Sequence, residues 1–231
     1  MIRRSRGGAA LLAVAIGALT LTAARRLTSG ESPSVTLPAP SLDQPLAAVK
    51  GEQTAVFSGG CFWGIQAVFE HLKGVTSAVA GYSGGTAPHP SYEQVSTGTT
   101  GYAESVKVTY DSSQISYGQL LQVFFSVAHD PTELNRQGPD VGTQYRSIIF
   151  YTTPEQQHIA HAYIDQLTAA KVFTRPIVTQ LVAYKAFWPA ESYHQNYAEK
   201  HPDEPYIVIN DAPKVAHLQR AFPTLYRSAA H

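Results

Sequence analysis

Thr54-Ala55-Val56-Phe57-Ser58-Gly59-Gly60-Cys61-Phe62-Trp63-Gly64 changes its hydrophobic period midway. The first five residues are a β-prone run that Gly59-Gly60 stops. Beyond the glycines, Phe62, Ile65, Phe69 and Leu72 recur at spacings of three, four and three, the apolar stripe of an amphipathic helix. The stretch predicts strand, glycine turn, helix, with the chain's single cysteine, Cys61, in the first helical turn.

Working outward, Val75 to Gly81 reads as a second strand and Glu104 to Tyr110 as a third, with Val106, Val108 and Tyr110 alternating against Ser105, Lys107 and Thr109. A helix is expected across Tyr117 to Val127, and a fourth strand across Tyr145 to Tyr151. Thr153-Pro154-Glu155-Gln156 supplies a cap, a first-turn proline and a third-position Gln, so another helix starts there and buries Ile159, Tyr163, Ile164 and Leu167. The order β-α-β-β-α-β across residues 54 to 151 is that of a ferredoxin-like two-layer sandwich of the α+β class. One further helix and a strand near Ile177 to Tyr184 extend it. The connections Tyr82 to Ala103 and Ala128 to Thr143 are long, non-periodic and rich in Gly, Pro and polar aromatics, as functional loops are.

The front of the chain reads differently. Arg3, Arg4 and Arg6 precede an apolar run from Ala9 to Leu21 and then Thr22-Ala23-Ala24, the pattern of a signal peptide or membrane anchor over residues 1–24. Export to the periplasm or another extracytoplasmic space is expected, with or without retention as a tether. Residues 25–51, with Ser32-Pro33, Pro38-Ala39-Pro40 and Pro45, read as a flexible linker, and the folded domain as 52–231. Hydrophobic residues make up 44% of the 231 and charged residues 15%, with formal net charge zero. That composition predicts a substantial buried core, no basic surplus for nucleic acid, and partners that are proteins or small molecules.

A lone cysteine in an exported chain cannot form an internal disulfide, so Cys61 is either an inert buried thiol or a reactive one. Free N–H groups at the helix start and the positive end of the helix dipole favour a thiolate there. Trp63 falls off the core stripe and could share the opening with Cys61, holding an apolar group such as an S-methyl, or it is simply core. Glu104 has the strand parity of Val106 and Val108, so alternation aims it at the apolar face, where desolvation would keep it protonated near neutrality. The plain alternative is a frayed strand end with Glu104 in solvent. Glu191, Tyr193, His194 and Tyr197 form a polar aromatic cluster; if helical, His194 would share one face with Glu191 and with Tyr197. Glu-x-x-His also occurs in di-iron bundles, but the remaining carboxylate ligands are not evident on other helices, so no metal is expected.

With Gly60-Cys61-Phe62-Trp63-Gly64 opening a helix after a strand, the sequence resembles the type A peptide methionine sulfoxide reductases. The likeness continues through Gly81-Tyr82-Ser83-Gly84-Gly85, Pro90-Ser91-Tyr92, Thr100-Gly101-Tyr102-Ala103-Glu104, His129-Asp130-Pro131-Thr132, Gly142-Thr143-Gln144-Tyr145-Arg146-Ser147 and Ala190-Glu191 with His194-Gln195-Asn196-Tyr197. It covers roughly Thr54 to Lys214. The resemblance implies that Cys61 is the nucleophile, that Phe62 and Trp63 line a methyl pocket, and that Glu104 with Tyr92 and Tyr197 faces the sulfoxide oxygen. Asp140 and Tyr145 would complete the site. It implies the S epimer of free or protein-bound methionine sulfoxide as substrate, no bound cofactor and a monomer. Many relatives carry further cysteines that resolve the oxidised intermediate; here those places hold Ser96 and Ile207. Resolution is therefore expected from an external thiol, thioredoxin-like or glutathione-linked. Tyr102 stands where most relatives have a histidine.

Two other readings compete. In a cysteine hydrolase, Cys61 would pair with His129 or His194. In a non-catalytic peptide-binding module, the aromatic loops would grip a partner and Cys61 would be buried.

Overall fold

The computed structural model describes Met1 and residues 36–228. The expected leader and the first part of the expected linker lie outside the described residues. Strand β1 (Glu52–Ser58), helix α1 (Phe62–Glu70), β2 (Val75–Ser83), α2 (Tyr92–Ser96), β3 (Ala103–Asp111) and α3 (Tyr117–Val123) come first. They are followed by β4 (Arg136–Gln137), β5 (Asp140–Val141), β6 (Ile148–Tyr151), α4 (Pro154–Ala169), β7 (Gln180–Ala183), β8 (Phe187–Pro189), α5 (Tyr197–Lys200) and α6 (Ala212–Ala221). The main sheet has the order β7-β6-β1-β3-β2-β8, and β4 pairs with β5 as a separate hairpin. β6, β1, β3 and β2 pair antiparallel with one another and β8 pairs antiparallel with β2, while β7 joins β6 in parallel. The β6-β1-β3-β2 centre is the ferredoxin-like arrangement expected from the element order.

Alternation sorts β1 between the two faces of the sheet. Ala55 and Phe57 enter the main core with Ile65, Phe69, Val106, Val108, Leu120 and Phe124, whereas Val56 joins Ala103, Ile148 and Phe150 in a smaller cluster. Phe57 stacks on Phe69 and Phe124 at centroid distances of 5.1 and 4.8 Å, which packs β1 against α1 and the chain just after α3. Helix α4 starts as expected: Thr153 caps the backbone N–H of Gln156 and Pro154 occupies the first turn.

Several boundaries differ from expectation. The helix expected to reach Val127 is α-helical only to Val123 and continues as a π-turn over Phe124–Ala128. The fourth strand begins at Ile148, because Gly142 at φ 147° turns the chain into a short 3-10 helix over Thr143–Tyr145. Ala190 to Tyr197 is not one helix: a 3-10 turn over Ser192–His194 is broken from α5 by Asn196 in the left-handed region. Strand β8 and the packed segment after His201 had no counterpart in the expected element order.

The second half of the expected flexible linker is bound to the domain. Leu37 is buried, and its carbonyl accepts from Gln122 Nε2 at 2.7 Å. The carbonyls of Pro38 and Ala39 accept from the Tyr163 hydroxyl and Gln166 Nε2 at 2.8 and 2.9 Å. Asp43 accepts from the backbone N–H of Gly118 at 2.8 Å and from the Ser116 hydroxyl, so it caps α3 from outside the helix. A proline-rich strand has few donors of its own, and here its carbonyls are met by side chains of α3 and α4.

Candidate active site

Cys61 is the N-cap of α1, directly after Gly60, whose φ of 103° suits glycine. A Cβ on Gly60 would lie 2.5 Å from Gln137 Cγ, so the hairpin of the second long loop presses on the turn that presents the cysteine. Gln137 is fixed there by two hydrogen bonds to the Asp130 backbone, at 2.9 and 3.0 Å.

Glu104 reaches the same point from β3. Its side chain is buried on the apolar face, as strand parity predicted, and Oε2 accepts from the backbone N–H of Phe62 at 3.0 Å. Burial pushes its carboxyl up to about 8; the Phe62 N–H opposes this, and Asp140 and Asp211 add to it. At neutral pH Glu104 is an acid carrying its proton.

The expectation that the helix start alone would ionise Cys61 is not met. Burial raises the thiol well above its ordinary range, followed by repulsion from Glu104 and Asp211. The Trp63 backbone N–H and Lys214 act in the opposite direction. The physical reason is local competition: Cys61 is only 8% exposed, and Glu104 takes the Phe62 N–H at the helix end that would otherwise favour a thiolate.

An aromatic wall surrounds the sulfur. Phe62 is buried against Tyr82 and His194, with ring centroids 5.9 and 5.0 Å away. Trp63 is half-buried; its indole N–H donates to His194 Nδ1 at 3.1 Å and its ring stacks on Tyr197 at 3.8 Å. Tyr92 lies 4.5 Å from the His194 ring, and its backbone N–H donates to Glu191 Oε1 at 2.9 Å. Glu191 Oε2 accepts from the Tyr82 hydroxyl at 2.8 Å, so Glu191 ties α2 to β2. Burial, with Glu104 and Cys61 nearby, pushes the Tyr92 phenol up to about 12. Tyr145 is raised by burial and then by Glu104 and Asp140. Both phenols therefore stay protonated as hydrogen-bond donors.

Tyr197 is placed differently from expectation. Its ring covers Trp63, but its hydroxyl bonds to Glu204, away from Cys61 and Glu104. Tyr206, next to Ile207 in sequence, stands closer. Its hydroxyl donates to Asp140 Oδ2 at 2.5 Å and its ring meets Trp63 edge-on at 5.8 Å. Tyr102 braces the first long loop: its hydroxyl donates to the Ala87 carbonyl, and its ring fills the space beside Gly85. Buried Asp211 and its partner Lys214, also near Cys61, were not anticipated.

Neither histidine serves the hydrolase arrangement. His129 Nδ1 donates to the Phe124 carbonyl at 3.0 Å and Nε2 accepts from the Ser147 hydroxyl at 2.7 Å, which commits both nitrogens; burial holds the ring down to about 4. His194 Nδ1 is taken by Trp63. Among the described residues no group of three or more His, Cys, Asp or Glu side chains is arranged to hold a metal ion.

Comparison with known proteins agrees with this geometry. The sequence model of the family described as peptide methionine sulfoxide reductase matches residues 53–225. The chain is 59% identical over 179 residues to peptide methionine sulfoxide reductase MsrA 2 of Mesorhizobium japonicum, covering 78% of this chain and 92% of that protein. It is 44% identical over 211 residues to MsrA 2 of Synechocystis sp., covering 91% and 95%. Among solved structures it is similar to methionine sulfoxide reductase A of Corynebacterium diphtheriae, with TM-score 0.57 and 33% identity over 75% of this chain and 90% of that one. Reduced Mxr1 of Saccharomyces cerevisiae gives TM-score 0.59 and 30% identity, covering 71% and 92%. With a cysteine capping a helix beside a buried, protonated glutamate in an aromatic wall, and with these relatives, the chain belongs to the peptide methionine sulfoxide reductase family.

Proposed function

We propose that the protein reduces the S epimer of methionine sulfoxide, free or within oxidised proteins, through a single-cysteine cycle that repairs oxidative damage. The observation that carries this reading is the hydrogen bond from the Phe62 N–H to Glu104 Oε2, which fixes a protonated acid beside the Cys61 sulfur. The S-methyl group sits against Phe62 and Trp63. Glu104 donates its proton to the sulfoxide oxygen, with Tyr92 and Tyr145 donating hydrogen bonds as charge develops there. The Cys61 sulfur attacks the activated sulfur, and the thiol proton replaces the one Glu104 gave up. The oxygen passes to Cys61 as a sulfenic acid and methionine leaves.

The cycle then needs an external reductant, because Ser96 and Ile207 occupy the places of further cysteines. An incoming thiol attacks the sulfenic sulfur and the hydroxyl leaves as water, its proton supplied by Glu104. A second thiol releases Cys61 from the mixed disulfide. A thioredoxin-like or glutathione-linked donor fits this chemistry, and the leader pattern of residues 1–24 supports action outside the cytoplasm. The test is steady-state turnover of the separated epimers with dithiothreitol: methionine from the S epimer only is expected. Turnover confined to the R epimer, or absent with dithiothreitol at saturation, contradicts the reading.

A further inference from the structure

Asp211 and Lys214 lie against the helix that presents Cys61 and take no part in the cycle above. Asp211 is fully buried; Oδ1 receives Lys214 Nζ at 3.2 Å, and Oδ2 has no hydrogen-bond partner. A Cβ built on Gly64 would fall 2.0 Å from Asp211 Oδ1 and 2.8 Å from Lys214 Nζ. Both charged groups therefore touch the first turn of α1, and the volume they occupy explains why residue 64 is a glycine. Helix α1 has no acidic residue in its own first turn. A carboxylate from elsewhere suits that position, since the helix dipole attracts it. An ammonium does not: the same dipole repels it, and helix stability gives no reason for Lys214 to be there. The group that gains charge nearby during the reaction is the Cys61 sulfur.

We propose that Lys214 and Asp211 are positioning residues that set the ionisation of Cys61, with Lys214 stabilising the thiolate and Asp211 holding the ammonium on Gly64 while opposing early loss of the thiol proton. The proposal rests on Cys61 being the reductase nucleophile. Around Cys61 stand Glu104 from β3, Tyr92 from α2, Tyr145 from the 3-10 turn before β6, and Tyr206, Asp211 and Lys214 from the C-terminal segment, with Asp140 beyond Tyr206. Lys214 is the cation of this set, since His129, which also senses it, is kept neutral by burial. The directions agree: Asp211 raises the thiol and Lys214 lowers it.

The test is the pH profile of Cys61 alkylation by iodoacetamide in the reduced protein, read by intact mass. Lys214→Gln is expected to move the profile to higher pH, with slower alkylation at pH 8 than wild type. Lys214→Arg restores the profile. Asp211→Asn moves it to lower pH and speeds alkylation. A merely structural role gives a different signature, because loosened packing exposes the thiol and shifts both variants in the same direction. Shifts of the same sign, or a profile that Lys214→Gln leaves unmoved, overturn the proposal. If Asp211→Asn does not fold, the Lys214→Gln and Lys214→Arg pair decides alone. Alkylation does not involve sulfoxide, so these outcomes leave the reductase reading untouched; its own failure appears as wild-type protein that alkylates normally and forms no methionine.

Discussion

The backbone N–H of Phe62 and the carboxyl of Glu104, 42 residues apart in sequence, are joined at 3.0 Å. That bond couples the start of α1 to β3 and so fixes Glu104 relative to Cys61. Glu104→Gln keeps an acceptor for Phe62 but has no proton to give. It is expected to lower kcat by about 10²–10⁴, the usual worth of a positioned acid. Wild-type kcat should also fall above about pH 8 as Glu104 ionises, and Glu104→Gln should lack that limb. A pH series on both proteins checks this.

Stability carries the same signature. The folded-state pKa of Glu104 is raised from the ordinary 4.5 to about 8, so the native state binds this proton more tightly than the unfolded chain. Its favourable contribution is complete below about pH 4.5 and is lost as pH rises towards about 8. Urea midpoints measured at pH 6 and pH 9 should differ more for wild type than for Glu104→Gln. Equal differences contradict the burial of this acid.

The two C-terminal tyrosines should separate cleanly. Tyr197→Phe loses a hydroxyl that bonds to Glu204 but keeps the ring on Trp63, and turnover should stay within about twofold. Tyr206→Phe removes the donor to Asp140 and frees a carboxylate near Glu104, so kcat should fall by about tenfold, the worth of a part-buried hydrogen bond to a carboxylate. Steady-state kinetics of the two variants test the assignment, and the reverse order would refute it.

Asp43 tests whether the proline-rich segment belongs to the fold. Its carboxylate caps α3 through Gly118 and Ser116, so Asp43→Ala should cost about 0.5–2 kcal/mol. Chemical denaturation measures this. No change in midpoint would mean that the segment is dispensable.

What the sequence made legible was local. The change of period at Gly59-Gly60 and the parity of Glu104 with Val106 and Val108 follow from patterns a few residues long, and both hold in the structure. The ionisation of Cys61 was misjudged because its burial, the largest influence, and then the repulsion from Glu104 and Asp211 come from segments distant in sequence. Asp211 escaped notice for a related reason: it lies in Ile207–Asp211, a π-turn whose period is neither that of a strand nor of an α-helix, and Tyr206 and Lys214 flank that turn. Tyr197 shows a finer limit. The family resemblance brought it to the site, but nothing in the pattern told which way its hydroxyl points.

The central claim is that Cys61 alone takes oxygen from the substrate. The most direct measurement mixes reduced protein with S-epimer methionine sulfoxide and no reductant, then counts methionine formed and thiol lost per chain. The account predicts about one methionine and one thiol per chain, Cys61 trapped as a sulfenic acid, and an inert Cys61→Ser variant. Folded protein that forms no methionine while its thiol stays free would contradict it.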